Sequence, residues 1–264
     1  MKKQQKIENL ISKFLQLHDR KIDLSLDRIN RLNKELKIDL NKLKVKTITI
    51  TGTNGKWSTA ATVRSIFEAA GYKIDLFTSP HVQNYTERFI FESKEISEKD
   101  LYNLLSEVGL KNSSKPITVF ELLTSAFYFH SALKSKSDLI IAENGLFQRY
   151  DSVSSIGHHL MNIICQIGLD HLDWLPKDKQ TIEQIVFEKT STLLNSNIIV
   201  AKQSTKETMD CIKKTISQNK SNKVYFNDDF SYSINENDFF YYEDKFGGLN
   251  LPMPNVLGQY QLEN

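Results

Sequence analysis

Between residues 4 and 17, apolar side chains recur at Ile7, Leu10, Ile11, Phe14 and Leu17, the spacing of a helix with one buried face. A polar break, His18-Asp19-Arg20-Lys21, leads to a second helical stripe at Leu26, Ile29, Leu32 and Leu36. Both stripes precede the first strand and are expected to cover an edge or rim of a sheet. The pattern then changes to Thr47-Ile48-Thr49-Ile50-Thr51, a β-branched run with the composition of a buried strand. A loop and a helix follow, with Val63, Ile66, Phe67 and Ala70 on the buried face and Gly71 as the stop. Ile74–Phe77 reads as a short strand that leaves through Thr78-Ser79-Pro80-His81, and Phe89–Phe91 as a further extended piece. Ser97 begins a helix through about Val108. Thr118 and Glu121 have capping-box spacing and open a strongly apolar helix to about Leu133.

Strands at Asp138–Glu143, Asn162–Ile167 and Ile198–Ala201 then alternate with helices. One helix is capped at Thr181 and carries Ile185, Phe187 and Leu193; another spans Thr205–Ser217 and precedes a strand at Val224–Phe226. This alternation predicts an α/β fold, a mainly parallel sheet wound by helices on both faces. From Phe230 onward, short aromatic and alternating pieces broken by Asn, Asp and Gly247-Gly248 predict a small antiparallel addition. The run from Leu257 to Asn264 looks like the start of a helix without a stop, which reads as a truncated chain. The expected organisation is an amino-terminal helical segment, 1–46, belonging to the same domain as a nucleotide-binding unit, 47–264.

Composition narrows the class of function. The 264 residues are 40% hydrophobic and 25% charged with a net charge of +2, ordinary globular values that give no argument for nucleic acid or a membrane surface. No apolar run approaches a membrane span or a signal peptide. Cys165 and Cys211 lack metal spacing and read as reduced structural thiols. The expectation is a soluble cytoplasmic protein.

The chemistry starts at residues 51–59, Thr-Gly-Thr-Asn-Gly-Lys-Trp-Ser-Thr. Glycines 52 and 55 let backbone N–H groups turn inward, the following helix offers its positive end, and Lys56 adds a point charge. Together they form a cradle for phosphate. Only Thr53 and Asn54 separate the glycines, so the spacing departs from the common phosphate-loop pattern. In parallel sheets ligands gather beyond the carboxyl ends of the strands, and three further polar groups fall there: Ser79, Glu143 and His171. Ser79 and Glu143 suit magnesium, which prefers oxygen ligands, whereas His171 is softer. Taken singly, Ser79 reads as a turn residue, Glu143 equally as a capping or salt-bridged carboxylate, and His171 as a hydrogen-bonded structural histidine; their shared position at strand ends favours function. Helical spacing alone makes Lys189 an exposed lysine, His130 structural, and His158-His159 a solvated loop.

Gly-Thr-Asn-Gly-Lys at 52–56, Thr-Ser-Pro-His at 78–81, Glu-Arg at 87–88, Phe-Glu at 120–121, Leu-Asp-His at 169–171 and Glu-Lys at 188–189 resemble, in order, the folylpolyglutamate synthase/dihydrofolate synthase family of the Mur-ligase superfamily. Lys21-Ile22-Asp23-Leu24 with Leu26-Asp27-Arg28 is similar to its amino-terminal motif. The resemblance implies an ATP-dependent ligase that activates a carboxylate as an acyl phosphate and joins it to glutamate, with dihydropteroate or reduced folates as acceptors. It implies ATP contacts at Thr53, Asn54, Gly55, Lys56, Ser58, Thr59 and Asn264, and magnesium on Ser79, Glu143 and His171. Lys189 matches a lysine that the family carries as a carbamate, which overrides the surface reading from spacing. Lys56, Glu143, His171 and Lys189 form the implied catalytic set. Pterin contacts are implied at His18, Asp19, Thr118, Phe120, Glu121, Tyr150, Asp151 and Ser152. The expected partners are these small molecules alone, and the expected state is a monomer.

Two departures bear on function. Trp57 stands where the family loop has glycine, and Phe147-Gln148 replace the loop glycines that follow the family's Glu-Val-Gly. The family's second, carboxy-terminal domain, with its Asp-x-Ala-His-Asn-Pro motif, is not found in this sequence, and little turnover is expected without it. A Mur-type peptidoglycan ligase is the nearest alternative, disfavoured by Thr78–His81 and the amino-terminal motif. A non-catalytic nucleotide-binding relative is the other, motivated by Trp57 and the lost glycines.

Overall fold

The computed structural model describes residues 3–18, 23–193, 195–234, 239–253, 258, 261 and 263. The chain begins with α1 (Lys3–Phe14), α2 (Asp27–Glu35) and α3 (Leu40–Lys44). Then follow β1 (Thr47–Thr51), α4 (Lys56–Ala69), β2 (Ile74–Phe77), β3 (Phe89–Phe91), β4 (Lys94–Glu95), α5 (Glu98–Asn112) and α6 (Val119–Leu133). The remainder comprises β5 (Leu139–Glu143), β6 (Met161–Ile164), α7 (Ile182–Thr190), β7 (Asn197–Val200), α8 (Lys206–Thr215) and β8 (Lys223–Tyr225), then β9 (Phe230–Ile234), β10 (Phe239–Asp244) and β11 (Gly247–Pro252).

Eight strands form one sheet in the order β4-β3-β2-β5-β1-β6-β7-β8. All pairs from β2 to β8 in that order are parallel, while β3 and β4 add antiparallel to one edge. β9, β10 and β11 make the separate antiparallel sheet. The mainly parallel sheet and the small antiparallel addition are as the alternation of apolar runs predicts.

Because strand side chains alternate between faces, β1 puts Ile48 and Ile50 into one layer with Ala60, Val63 and Phe67 of α4. Its threonines point the other way and are buried: Thr47 Oγ1 donates to Leu43 O (2.7 Å) and Thr49 hydrogen-bonds Asn162. On that second face, α5 and α6 pack on β2, β3 and β5 through Phe77, Phe89, Phe127 and Ile140. α7 and α8 pack on β6 and β7 through Ile185, Ile212, Ile164 and Val200. The Thr118 capping box on α6 is made, each partner's side chain accepting from the other's backbone.

Several expectations are corrected. α1 and α2 pack on α5 and α6, as an outer layer and not along a sheet edge or rim. α5 continues to Asn112, beyond Val108, because Leu110 and Lys111 extend the turn before Ser113 takes a left-handed backbone (φ 53°). β6 stops at Ile164, so Cys165 lies just past the strand. The paired histidines are not both solvated: His158 is exposed, but His159 is buried where the chain enters β6, which pushes its pKa down to about 3. His130 stacks on Phe91 with ring centres 3.8 Å apart. Asp19, Lys21, Ile22 and Asn264 lie outside the described residues.

Candidate active site

β1 sits between β5 and β6, so the loops leaving these three strands meet beyond their carboxyl ends. The loop after β1 is held by its backbone. Thr53 N and Asn54 N both donate to Gln166 O (2.8 and 3.2 Å), and Thr53 Oγ1 exchanges hydrogen bonds with Gly168 O and N (3.1 Å each). Gly52 is required: a Cβ there would come within 2.8 Å of the Cys165 Cβ, at a φ of +145°. Gly55 caps α4 in the left-handed conformation (φ 82°). The first-turn N–H groups of α4 have no intrahelical acceptors, and the helix end attracts anions. Lys56 is folded onto the same loop, its Nζ 3.2 Å from both Gly52 O and Thr53 O. Ser58 is half-buried, whereas Thr59 is buried with its hydroxyl 3.3 Å from Cys165 Sγ. Trp57 packs outward, 59% exposed.

Glu143, the last residue of β5, is buried and accepts from Ser79 N (3.1 Å). Burial pushes its pKa up to about 7, against the pull of the Ser79 amide and the nearby Lys56 ammonium. His171 follows β6 with a left-handed backbone (φ 51°) and an exposed ring, its pKa lowered mainly by partial burial. Lys189 is fully buried, so the surface position that helical spacing gives it is wrong. An ammonium loses several kcal/mol of hydration on burial. Here Gly52 O (3.0 Å), Leu146 O (3.1 Å) and Asp170 Oδ2 (3.3 Å) surround it. Burial wins in part and lowers its pKa to about 8.

Two cavities open at this edge. The larger, about 930 Å³, includes Lys56, Trp57, Ser79, Glu143 and His171 in its wall. The smaller, about 260 Å³, includes Leu24, Arg88, Thr118, Phe120, Glu121 and Tyr150, with Asp23, Asp151 and Ser152. They share Ser79, Pro80, Gly145 and His171. Glu121 is fixed by Arg28 Nε (3.0 Å) and by its own cap at Thr118 N (2.8 Å). Asp151 accepts from Gly145 N, Leu146 N and Val153 N (2.8, 3.1 and 2.9 Å), and burial raises its pKa against these bonds.

The structure therefore brings Lys56, Ser79, Glu143 and His171 around one cavity, and most of the expected substrate residues around the adjoining one; Thr53, Asn54, Gly55, Ser58 and Thr59 are not in the wall of either. His18 is not in the wall of the smaller cavity; it pairs at 3.5 Å with Asp23, which is. Asn54 is turned to Gln166 Oε1 (2.9 Å). Residue types alone missed Arg88 and Asp170, although both stand inside recognisable short motifs. Arg88 donates to His81 Nδ1 (2.8 Å) and reaches the smaller cavity.

Among the described residues no group of three or more His, Cys, Asp or Glu side chains forms a ready metal cage. The donors still fit a hard divalent ion that keeps most of its waters. Glu143 is a buried carboxylate that accepts from one amide among the described residues, Ser79 offers a hydroxyl, and Asp170 Oδ1 is buried with no hydrogen-bond partner among the described residues. A phosphate group likewise fits the α4 end beside Lys56.

No family model matches the chain. Among curated proteins it is 33% identical over 168 residues to the dihydrofolate synthase/folylpolyglutamate synthase of Escherichia coli, covering 63% of this chain and 38% of that protein. It is 31% identical over 177 residues to the Bacillus subtilis protein of the same name, covering 64% and 40%. Among solved structures it superposes on E. coli FolC in complex with DHPP and ADP with a TM-score of 0.82 at 28% identity, over 97% of this chain and 59% of that one. The relatives of this chain are folylpolyglutamate/dihydrofolate synthases. A Yersinia pestis bifunctional folylpolyglutamate synthase/dihydrofolate synthase, complexed with AMPPNP and Mn ion, matches with a TM-score of 0.79 at 27% identity, over 96% of this chain and 60% of that one. The fold is that of these synthases, and the chain spans about two fifths of the curated relatives' length and three fifths of the solved chains. Binding of ADP or AMPPNP with a divalent metal is a property of those solved neighbours.

Proposed function

We propose that this chain forms the ATP- and acid-binding part of a ligase that joins glutamate to dihydropteroate, tetrahydrofolate or both. The observation that carries this reading is the pair of cavities sharing a wall at Ser79, Gly145 and His171. One has the phosphate loop and the buried carboxylate; the other is a smaller, mainly apolar slot with fixed acids. A pterin has a flat ring and a donor-rich edge, which suit Phe120 and Leu24 on one hand and the Asp23 and Glu121 carboxylates on the other. Its carboxylate then lies toward the shared wall and the ATP γ-phosphate.

In this reading Thr53, Asn54 and Gly55 shape the loop, and Lys56, Ser58, Thr59 and the first-turn amides hold the phosphates. The family resemblance assigns Asn264 to the nucleotide base and His18 and Asp19 to the pterin, with Asp19 and Asn264 outside the described residues. Ser79, Glu143 and His171 would hold Mg²⁺, which would supply positive charge at the phosphate oxygens. An acid oxygen attacks the γ-phosphorus as ADP leaves, giving an acyl phosphate. The glutamate amine then attacks the acyl carbon, and phosphate leaves with the C–O electron pair. Lys56 supplies positive charge where it develops during the transfer. Lys189, whose pKa of about 8 makes the neutral amine accessible near neutral pH, would add its nitrogen lone pair to the carbon of CO₂ and release one proton to water, and the resulting carbamate would offer an anionic oxygen to the metal. Residues 1–46 and 47–264 form one unit in this scheme. In this reading the working state is a cytoplasmic monomer. Among the described residues no helix is long and apolar enough to cross a membrane.

Equilibrium titration tests the reading. Mg²⁺-ATP and dihydropteroate should each bind, and Lys56→Ala should weaken only the nucleotide, by about a hundredfold for a lost charge-assisted phosphate contact. A chain that binds no nucleotide would refute the proposal.

A further inference from the structure

The loop after β5 walls the smaller cavity through Gly145, Leu146, Tyr150, Asp151 and Ser152, and α7 grips it at separate points. Lys189 donates to Leu146 O. One residue earlier on α7, Glu188 is buried and takes both arms of the Arg149 guanidinium, Nε to Oε2 at 2.8 Å and an Nη to Oε1 at 2.9 Å. Arg149 N also donates to Glu188 O (3.0 Å). Gln184 Nε2 donates to Glu188 Oε1 (2.9 Å), which fixes the carboxylate from its own helix. The guanidinium lies 4.5 Å from the centre of the Tyr150 ring and 5.3 Å from that of Phe187. A planar fork meeting a carboxylate through two parallel bonds and stacking on aromatic faces is specific to arginine.

We infer that Arg149 is a positioning residue: it clasps the substrate loop to the helix of Lys189 and sets the Tyr150 ring against the smaller cavity. This deepens the proposed function and rests on it for the identity of the ligand, but the clasp itself can be read without ligand. Arg149 and Glu188 also line a separate hollow of about 500 Å³ that shares Leu24 with the smaller cavity. The clasp ties the loop to α7, and its loss frees the loop to move. Glu188 and Lys189 are consecutive, so a change in loop position is passed to the buried lysine through the single peptide unit that joins them on α7.

The test uses Arg149→Met, Arg149→Lys and Glu188→Gln in the full chain, with two readouts. Amide hydrogen exchange of residues 145–151 should quicken by roughly tenfold in Arg149→Met, as expected when a charged hydrogen-bond pair is lost, while β1 and α4 keep their rates. Dihydropteroate should bind roughly tenfold more weakly, with Mg²⁺-ATP affinity kept within about twofold. Arg149→Lys should recover only part of both effects, because a point charge cannot fork, and Glu188→Gln should resemble it. Unchanged exchange at 145–151 in Arg149→Met, or equal acceleration across the whole chain, would overturn the inference. If the unaltered chain fails to bind dihydropteroate, the functional reading falls, and the exchange measurement still decides the clasp.

Discussion

The loops leaving β1 and β5 start from neighbouring strands and end at the same cavity wall, but they are held in opposite ways. The phosphate loop is fixed largely by backbone: Thr53 N and Asn54 N on Gln166 O, a glycine tight against Cys165, and a left-handed glycine cap, with the Thr53 and Asn54 side chains adding bonds to Gly168 and Gln166. Its one large side chain, Trp57, points outward. The substrate loop is fixed by buried side chains, with Asp151 gathering three amides, Glu188 holding Arg149, and Lys189 on Leu146 O. A backbone-held loop tolerates side-chain change wherever no Cβ is excluded. A side-chain-held loop keeps its shape while its glycines change, but fails when one buried anchor is lost. This explains how Phe147 and Gln148 fit where the family resemblance leads one to expect glycine: Phe147 is buried and Gln148 bonds Thr192.

The sharpest way to break the contrast is Asp151→Ala. It strands three amides in a buried loop and should cost about 3 kcal/mol, at the upper end for an unsatisfied group, read from the urea midpoint. Glu143 gives an effect of similar size that depends on pH. Its folded pKa of about 7 lies above the ordinary 4.5, so between these values the folded chain holds a proton that the unfolded chain has lost. That contribution to stability is full below about 4.5, falls as pH rises to about 7, and is level beyond, a change of about 3 kcal/mol. The difference between the unaltered chain and Glu143→Gln across pH 4.5–7 isolates it; a pH-independent difference would contradict the assignment. Gly52→Ala drives a Cβ into Cys165 and should cost about 2 kcal/mol, with nucleotide affinity falling in parallel. Trp57→Gly should be the mildest, under about 1 kcal/mol, because the ring contributes little buried surface. If it instead abolished nucleotide binding, the outward ring would be a functional contact.

The sequence made legible whatever follows from local pattern. Alternating apolar runs yielded the parallel sheet, Thr118 and Glu121 the start of α6, and Gly52 to Lys56 the phosphate loop. Strand-end position brought Ser79, Glu143 and His171 together before any coordinates. What depended on distant packing was hidden. Lys189 follows helical spacing onto a nominal surface, and only the convergence of Gly52, Leu146 and Asp170 from three other segments buries it. His159 is polar and in a loop, yet Ser196 accommodates its backbone (3.0 Å) and the sheet entrance encloses its ring. The two-residue β4 is too short to leave a period. Nor does any local pattern report that Lys56 and Glu143 line one cavity while Thr118, Glu121 and Asp151 line another with a common wall.

In the proposed function Glu143, buried in the wall of the larger cavity, links a divalent ion to nucleotide. The direct measurement is the ATP dissociation constant with Mg²⁺ and with EDTA, for the unaltered chain and for Glu143→Gln. The account predicts that Mg²⁺ tightens binding by at least about tenfold in the unaltered chain, the scale of one charged contact, and that this gain disappears in Glu143→Gln while the metal-free affinity stays the same. An equal gain from Mg²⁺ in both proteins would contradict it.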